Sequence, residues 1–214
     1  MGLSIAMKIN FPLLALAVGA FAIGTTEFSP MGFLPEIAND LSVSIPQAGL
    51  LISAYAVGVM IGAPLMTLWL ARFPKKTALI LLMAIFTIGN VLATVAPDYM
   101  SLMGARLITS LNHGAFFGLG SVVAASVVPK DKQASAVAMM FMGLTIANIG
   151  GVPLATWLSQ NTSWRMAFAA ISILGIITML ALWKALPQDH DVVKPNVAKE
   201  LRVLTRTPVV LALL

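Results

Sequence analysis

Three ionisable residues stand inside long apolar stretches of this chain: Glu27, Arg106 and His113. Arg106 and His113 are two helical turns apart, so a helix projects both from one face, together with Thr109, Ser110 and Phe117. Gly114, Gly118 and Gly120 line a neighbouring strip. An arginine in hydrocarbon costs roughly 2.5–3.5 kcal/mol on insertion scales, so a chain that keeps one there pairs it or uses it. Glu27 lies ~10 Å below the end of its apolar run and Arg106 ~9 Å below the start of its own, by helical rise. The matching depths predict contact between the two runs. A paired carboxylate stays ionised, whereas an unpaired one in apolar surroundings takes up a proton more easily. Making and breaking a Glu27–Arg106 pair would convert protonation into movement; the competing role is a static ion pair that fixes helix packing.

Other side chains extend this constellation. Pro30 removes a backbone donor and opposes the carbonyl of Thr26, which loosens Gly24–Pro30 beside Glu27. Such a segment either lines a cavity or is a kink relieved by its Thr and Ser side chains. His113 lies near the membrane centre, ~20 Å from the outer face. It could relay protons or bind a substrate, or it could be a neutral histidine bonded to Asn148 or Asn90. Thr26, Thr109, Phe117, Asn148 and Tyr55 are the candidate cavity residues, with hydrogen-bonded packing between helices as the alternative. Phe116, Phe117, Phe141 and the methionines either make a soft apolar lining suited to loosely specific substrates or fill the space between helices.

The elements that must carry these residues are membrane helices. Of the 214 residues, 59% are hydrophobic and 10% charged, against about 25% charged in a soluble domain. The mean hydropathy of +0.94 points the same way. The apolar runs cover about 11–34, 46–71, 77–96, 100–128, 134–158 and 164–183, each long enough for ~30 Å of hydrocarbon. Lys8 ahead of the first run resembles a signal peptide, but the run outlasts a signal core, so it is read as an uncleaved first span. Residues 1–184 thus form one bundle, 185–207 a polar cytoplasmic linker, and 208–214 the start of a seventh span. Seven residues cannot cross a bilayer, so the chain is expected to be part of a longer protein whose second half is missing.

All of the thirteen Lys and Arg except Arg106 and Arg165 fall on one side of this arrangement. That side is expected to be cytoplasmic, with the N-terminus inside. Membrane topology therefore explains the net charge of +5, and nucleic acid is not an expected partner. There are no cysteines, and no P-loop, HExxH or Gly-x-Ser-x-Gly pattern, so neither metal nor enzymatic chemistry is expected.

Two spans share a pattern that is either an internal repeat or a chance similarity between Gly/Pro-containing membrane helices. Gly62-Ala63-Pro64-Leu65-Met66-Thr67-Leu68-Trp69-Leu70 is echoed by Gly151-Val152-Pro153-Leu154-Ala155-Thr156-Trp157-Leu158. The copies are about three spans apart, and an odd number of crossings inverts one relative to the other. The expected fold is an all-α membrane protein, a six-helix transmembrane bundle built from two inverted three-helix repeats.

The stretch Arg106–Gly118, with Thr25-Thr26-Glu27-Phe28, Gly143–Asn148 and Trp164-Arg165, resembles the major facilitator superfamily. The similarity is to its twelve-span drug:proton antiporters, in the AraJ-like and YdhP-like sugar- and drug-efflux branch. It covers the whole chain, about half of a typical member. It implies a bacterial inner-membrane exporter of a small molecule, sugar-like, drug-like or a related metabolite. It also implies proton antiport with alternating access, no cofactor beyond the proton gradient, and first and fourth spans that face a central cavity. Glu27, Arg106 and His113 would then couple protons, and Arg72, Lys75 and Lys76 would form a cytoplasmic gating loop. Two departures weigh against coupling: Ala71 replaces the Asp usual in that loop, with Pro74 for its Gly, and Gly150-Gly151-Val152-Pro153 lacks the usual Gly-Pro pair. The alternatives are an uncoupled facilitator of the same fold or a six-span interaction module.

Overall fold

The computed structural model describes residues 10–187. Among them are nine α-helices and no strand: α1 (Phe11–Gly32), α2 (Leu34–Asp40), α3 (Ile45–Leu70), α4 (Lys75–Thr94), α5 (Tyr99–Ser110), α6 (His113–Ser126), α7 (Gln133–Ile146), α8 (Val152–Asn161) and α9 (Trp164–Ala185). They make six spans long and apolar enough to cross a membrane, with α5–α6 the fourth and α7–α8 the fifth. Lys8, most of the 185–207 linker and the 208–214 run lie outside the described residues.

Side-chain caps set the starts of four spans. Asn10, Ser44, Asp98 and Ser163 each accept a hydrogen bond from a first-turn amide, and Pro12 and Pro46 occupy first-turn sites where no donor is needed. The perimeter is apolar: Phe11, Met60, Leu65, Ile149, Leu154, Trp157 and Trp183 are all exposed. Lipid tails cover such a surface at no cost, whereas in water it would be a large uncovered patch.

The packing obeys the repeat. The first span packs on the fifth and sixth, the fourth on the second and third, and the third on the sixth. Exchanging the two triplets of spans leaves this scheme unchanged. Gly62 and Gly151 occupy the same place in the two copies and close the matching interfaces. A Cβ on Gly62 would stand 2.9 Å from Leu111 Cα, and one on Gly151 3.1 Å from the Phe21 ring.

Three local expectations change. The stretch between the first two apolar runs, read from its Pro, Asn and acidic residues as a loop over 35–45, contains helix α2, because Pro35 starts it, Glu36 suits its positive end, and Ile37 is fully buried. The fourth run breaks at Leu111-Asn112, where backbone amides bond three residues back and Asn112 Nδ2 takes the carbonyl of Thr109 at 3.0 Å. The fifth opens into a π turn at Ala147–Gly151, with the Val152 amide reaching Ala147. Pro153 has no amide to offer and Gly150-Gly151 resists distortion least, so the extra residue is absorbed there.

At the end opposite the lysine-rich loops, which carries Glu36, Asp40 and Asp98, Arg165 ties three connections together. Its guanidinium pairs with Asp40, donates to the Ala96 carbonyl at 2.9 Å and lies 4.1 Å over the Trp164 ring. Trp164 Nε1 also donates to Asp40, at 3.0 Å. The hydrogen bond from Arg165, helped by that from Trp164, holds the Asp40 carboxyl below the usual carboxylate range. A depressed carboxylate pKa contributes stability above the unfolded value near 3.9 that is lost as pH falls through the folded one. Arg165→Ala is therefore expected to lower stability by about 1–2 kcal/mol at neutral pH, with the difference from wild type shrinking in acid. Thermal unfolding at pH 7 and below pH 4 checks this, and an unchanged gap between the two conditions would contradict it.

Candidate functional site

Arg106 is 1% exposed, on the inner face of α5. Its guanidinium carbon lies 4.3 Å from the centre of the Tyr55 ring on α3 and 5.7 Å from Phe168 on α9. One nitrogen donates to Thr26 Oγ1 at 3.2 Å. The Thr26 hydroxyl donates to Asn90 Oδ1 at 2.7 Å, and Asn90 Nδ2 donates to the Phe86 carbonyl at 2.9 Å. From the fourth span the arginine thus touches the first, second and sixth, and it reaches the third through Thr26. Its Nε and second terminal nitrogen meet no acceptor among the described residues. A buried cation so sparsely bonded is held largely by the π faces around it.

The expected Glu27–Arg106 ion pair does not form. Glu27 Oε2 lies 3.7 Å from His113 Nε2, and the other ring nitrogen, Nδ1, is 3.3 Å from the Tyr55 hydroxyl. His113 therefore bonds neither Asn90 nor Asn148. The connection from carboxylate to guanidinium runs through two rings: Glu27 to His113, His113 to Tyr55, and the Tyr55 face to Arg106. Equal depth was necessary for a direct pair but not sufficient. The rotation of α1 turns Thr26, not Glu27, towards Arg106, and leaves the Glu27 side chain 27% exposed.

Pro30 lies inside α1, in a stretch that faces the interior rather than an open cavity. Thr25 and Ser29 hydroxyls bond carbonyls one turn back at 2.8 and 2.5 Å, and Thr25, Thr26, Ser29 and Pro30 are all buried. Thr109 is also packed away, its hydroxyl bonded to Ala105 and its backbone against Gly89 of the third span. Thr26, Thr109 and Tyr55 are therefore interior residues rather than cavity-facing ones. Phe117 and Asn148 remain on accessible surface. Phe117 touches His113, with centroids 5.1 Å apart, and stacks on Phe141 at 5.1 Å and 25°.

On the lysine-rich end, Arg72 lies over Trp69 at 5.2 Å and Phe73 at 5.4 Å. Lys76 donates to the Leu186 carbonyl at 2.7 Å, and Lys75 lines the same small hollow with Ser126 and Pro187. The loop grips the end of the sixth span. Asn90 was foreseen only as a partner for His113. Its signal was a lone amide in the strongly apolar third run, where an unbonded amide is costly. Among the described residues no cluster of His, Asp and Glu could hold a metal.

A family model described as Major Facilitator Superfamily matches residues 16–214. The chain belongs to this superfamily. It is 68% identical over 208 residues to the inner membrane transport protein YdhP of Escherichia coli (strain K12), covering 97% of this chain and 54% of that protein. It is 31% identical over 176 residues to a probable sugar efflux transporter of Pasteurella multocida, covering 82% and 43%. Among solved structures, that of the peptide transporter POT in complex with sulfate matches with a TM-score of 0.76 at 12% identity, covering 97% of this chain and 46% of that one. That likeness is one of fold. The chain spans about half the length of the curated relatives it matches, so the six described spans correspond to one half of a major facilitator fold.

Proposed function

We propose that this six-span unit forms one wall of a proton-coupled exporter of small molecules in the bacterial inner membrane. Its lysine-rich end and N-terminus face the cytoplasm, and a second six-span half supplies the opposite wall. The names of its relatives, an inner membrane transport protein and a probable sugar efflux transporter, support location and direction. The observation that carries the coupling is the partly open Glu27 carboxylate joined through His113 and Tyr55 to the closed-in Arg106. Intramembrane ionisable groups in such a chain mark ion paths.

In this reading a proton arriving from the open side binds Glu27 or its His113 neighbour. Ionised Glu27 attracts both Arg106 and a protonated His113; neutral Glu27 attracts neither. The break at Leu111-Asn112 lies between Arg106 and His113 in the fourth span, so the two can shift relative to each other with little backbone cost. Each protonation state then favours one arrangement of the fourth span against the first, and substrate and proton take turns at the cavity.

The test uses the full-length protein in proteoliposomes containing a pH-sensitive dye, with labelled solutes outside. Glu27→Gln is expected to abolish transport driven by a pH gradient, and the accompanying proton movement, while exchange without a gradient persists. Unchanged gradient-driven transport by that variant would remove Glu27 from the mechanism. Wild-type transport without proton movement would identify an uncoupled facilitator.

A further inference from the structure

Asn90 touches none of the ionisable residues, yet it fixes the group that holds Arg106. Three hydroxyl side chains crowd one stretch of α1. Thr25 and Ser29 donate to carbonyls of their own helix, one turn back at 2.8 and 2.5 Å. That is the default bond of a hydroxyl in a helix. Thr26 alone reaches out of the helix, to Asn90 Oδ1 on α4 at 2.7 Å.

The direction of this bond is set from α4. The Phe86 carbonyl can only accept, so the amide nitrogen of Asn90 faces it, at 2.9 Å, and the amide oxygen is turned to Thr26. An oxygen in that place takes the Thr26 proton. The Thr26 lone pairs are then free for Arg106, whose Nη1 donates to them at 3.2 Å. Phe86, Asn90 and Thr26 are fully buried and Arg106 nearly so, which keeps bulk water from supplying a substitute. Gly89, next to Asn90, brings α4 hard against α5: a Cβ there would stand 2.8 Å from the Thr109 amide nitrogen. Asn90 is thereby held at a fixed height beside the span that carries Arg106. A ring face attracts a cation above it but only weakly resists its turning there. Tyr55 therefore holds the guanidinium down, and the bond to Thr26 sets its direction.

We propose that Asn90 is a positioning residue for Arg106. It acts through Thr26: by taking the hydroxyl proton it presents the oxygen to the guanidinium, and so fixes how the cation lies on Tyr55. The consequence for transport rests on the coupling reading; the placement of Arg106 does not.

The experiment follows the placement directly, by nitrogen NMR of the arginine side chains of the full-length protein in nanodiscs. The Arg106 Nε signal is assigned by its absence from Arg106→Met. Thr26→Val and Asn90→Leu should each move it, and Thr26→Ser should leave it near its wild-type position. Adding Asn90→Leu to Thr26→Val should move it no further, because Asn90 has then lost the group it acts through. Valine and leucine are close in shape to the residues they replace, so melting curves should show all variants folded. In the proteoliposome assay Thr26→Val should lower gradient-driven transport by ~10- to 100-fold, the range for a lost hydrogen bond to a charged group, and Asn90→Leu by ~3- to 10-fold. An Arg106 signal unmoved by Asn90→Leu, or effects of the two substitutions that add in the double variant, would overturn the proposal. The NMR result does not depend on proton movement, so the placement and the coupling fail separately.

Discussion

On the proposed coupling, Arg106→Met in the full-length protein should fold and melt within ~1–2 kcal/mol of wild type yet lose gradient-driven transport by at least ~100-fold. The two halves of this expectation come from one feature. Arg106 makes a single hydrogen bond, to Thr26, and two of its nitrogens meet no acceptor among the described residues. Its desolvation is therefore poorly offset, and an apolar side chain of similar length removes that cost while still filling the space under Tyr55. Under the proposed coupling, methionine carries no charge for Glu27 to sense, so protonation would lose its lever. Arg106→Ala differs, because it also empties space among Tyr55, Phe168 and Thr26 and should cost about 2–5 kcal/mol. Arg106→Lys keeps charge without the planar face that lies on Tyr55, and should transport between the two. Melting curves in detergent alongside proteoliposome flux decide the matter. A Met variant that transports normally would show that the charge is structural ballast.

Gly143→Ala should destabilise the bundle by ~1–3 kcal/mol, although alanine is the better helix former. The first and fifth spans meet backbone to backbone at this point. A Cβ on Gly143 would lie 2.9 Å from the Ala17 carbonyl carbon and 3.0 Å from the Phe21 amide nitrogen. Neither atom belongs to a side chain that can swing away, so the helices themselves must part. Gly104→Ala is the control: nothing lies within 4 Å of the added methyl. There the backbone entropy gained should raise stability by about 0.5–1 kcal/mol. Thermal unfolding of the two variants should move in opposite directions, and equal shifts would refute the close-contact account.

Much of the bundle could be read along the chain because membrane helices are dictated by local rules. Twenty apolar residues between capped ends can do little else in a bilayer, and the caps at Asn10, Ser44, Asp98 and Ser163 are short-range interactions. The echo of Gly62–Leu70 in Gly151–Leu158 likewise announced the exchange symmetry of the packing, because small residues are where helices approach most closely. The superfamily resemblance, carried by the Arg106–Gly118 stretch and its companions, agrees with the family match.

Partner choice was the part that needed three dimensions. Rise per residue gives the height of Glu27 and Arg106 but says nothing of the angle at which each leaves its helix. One step of rotation on α1 sent Thr26 to the arginine and Glu27 to His113. His113 found Tyr55, from another span, in place of either asparagine. The break at Leu111-Asn112 and the π turn before Pro153 shift that angle again along the fourth and fifth spans. Helical periodicity along an unbroken run carries no trace of such changes, so which ions and rings meet is a property of the assembled bundle.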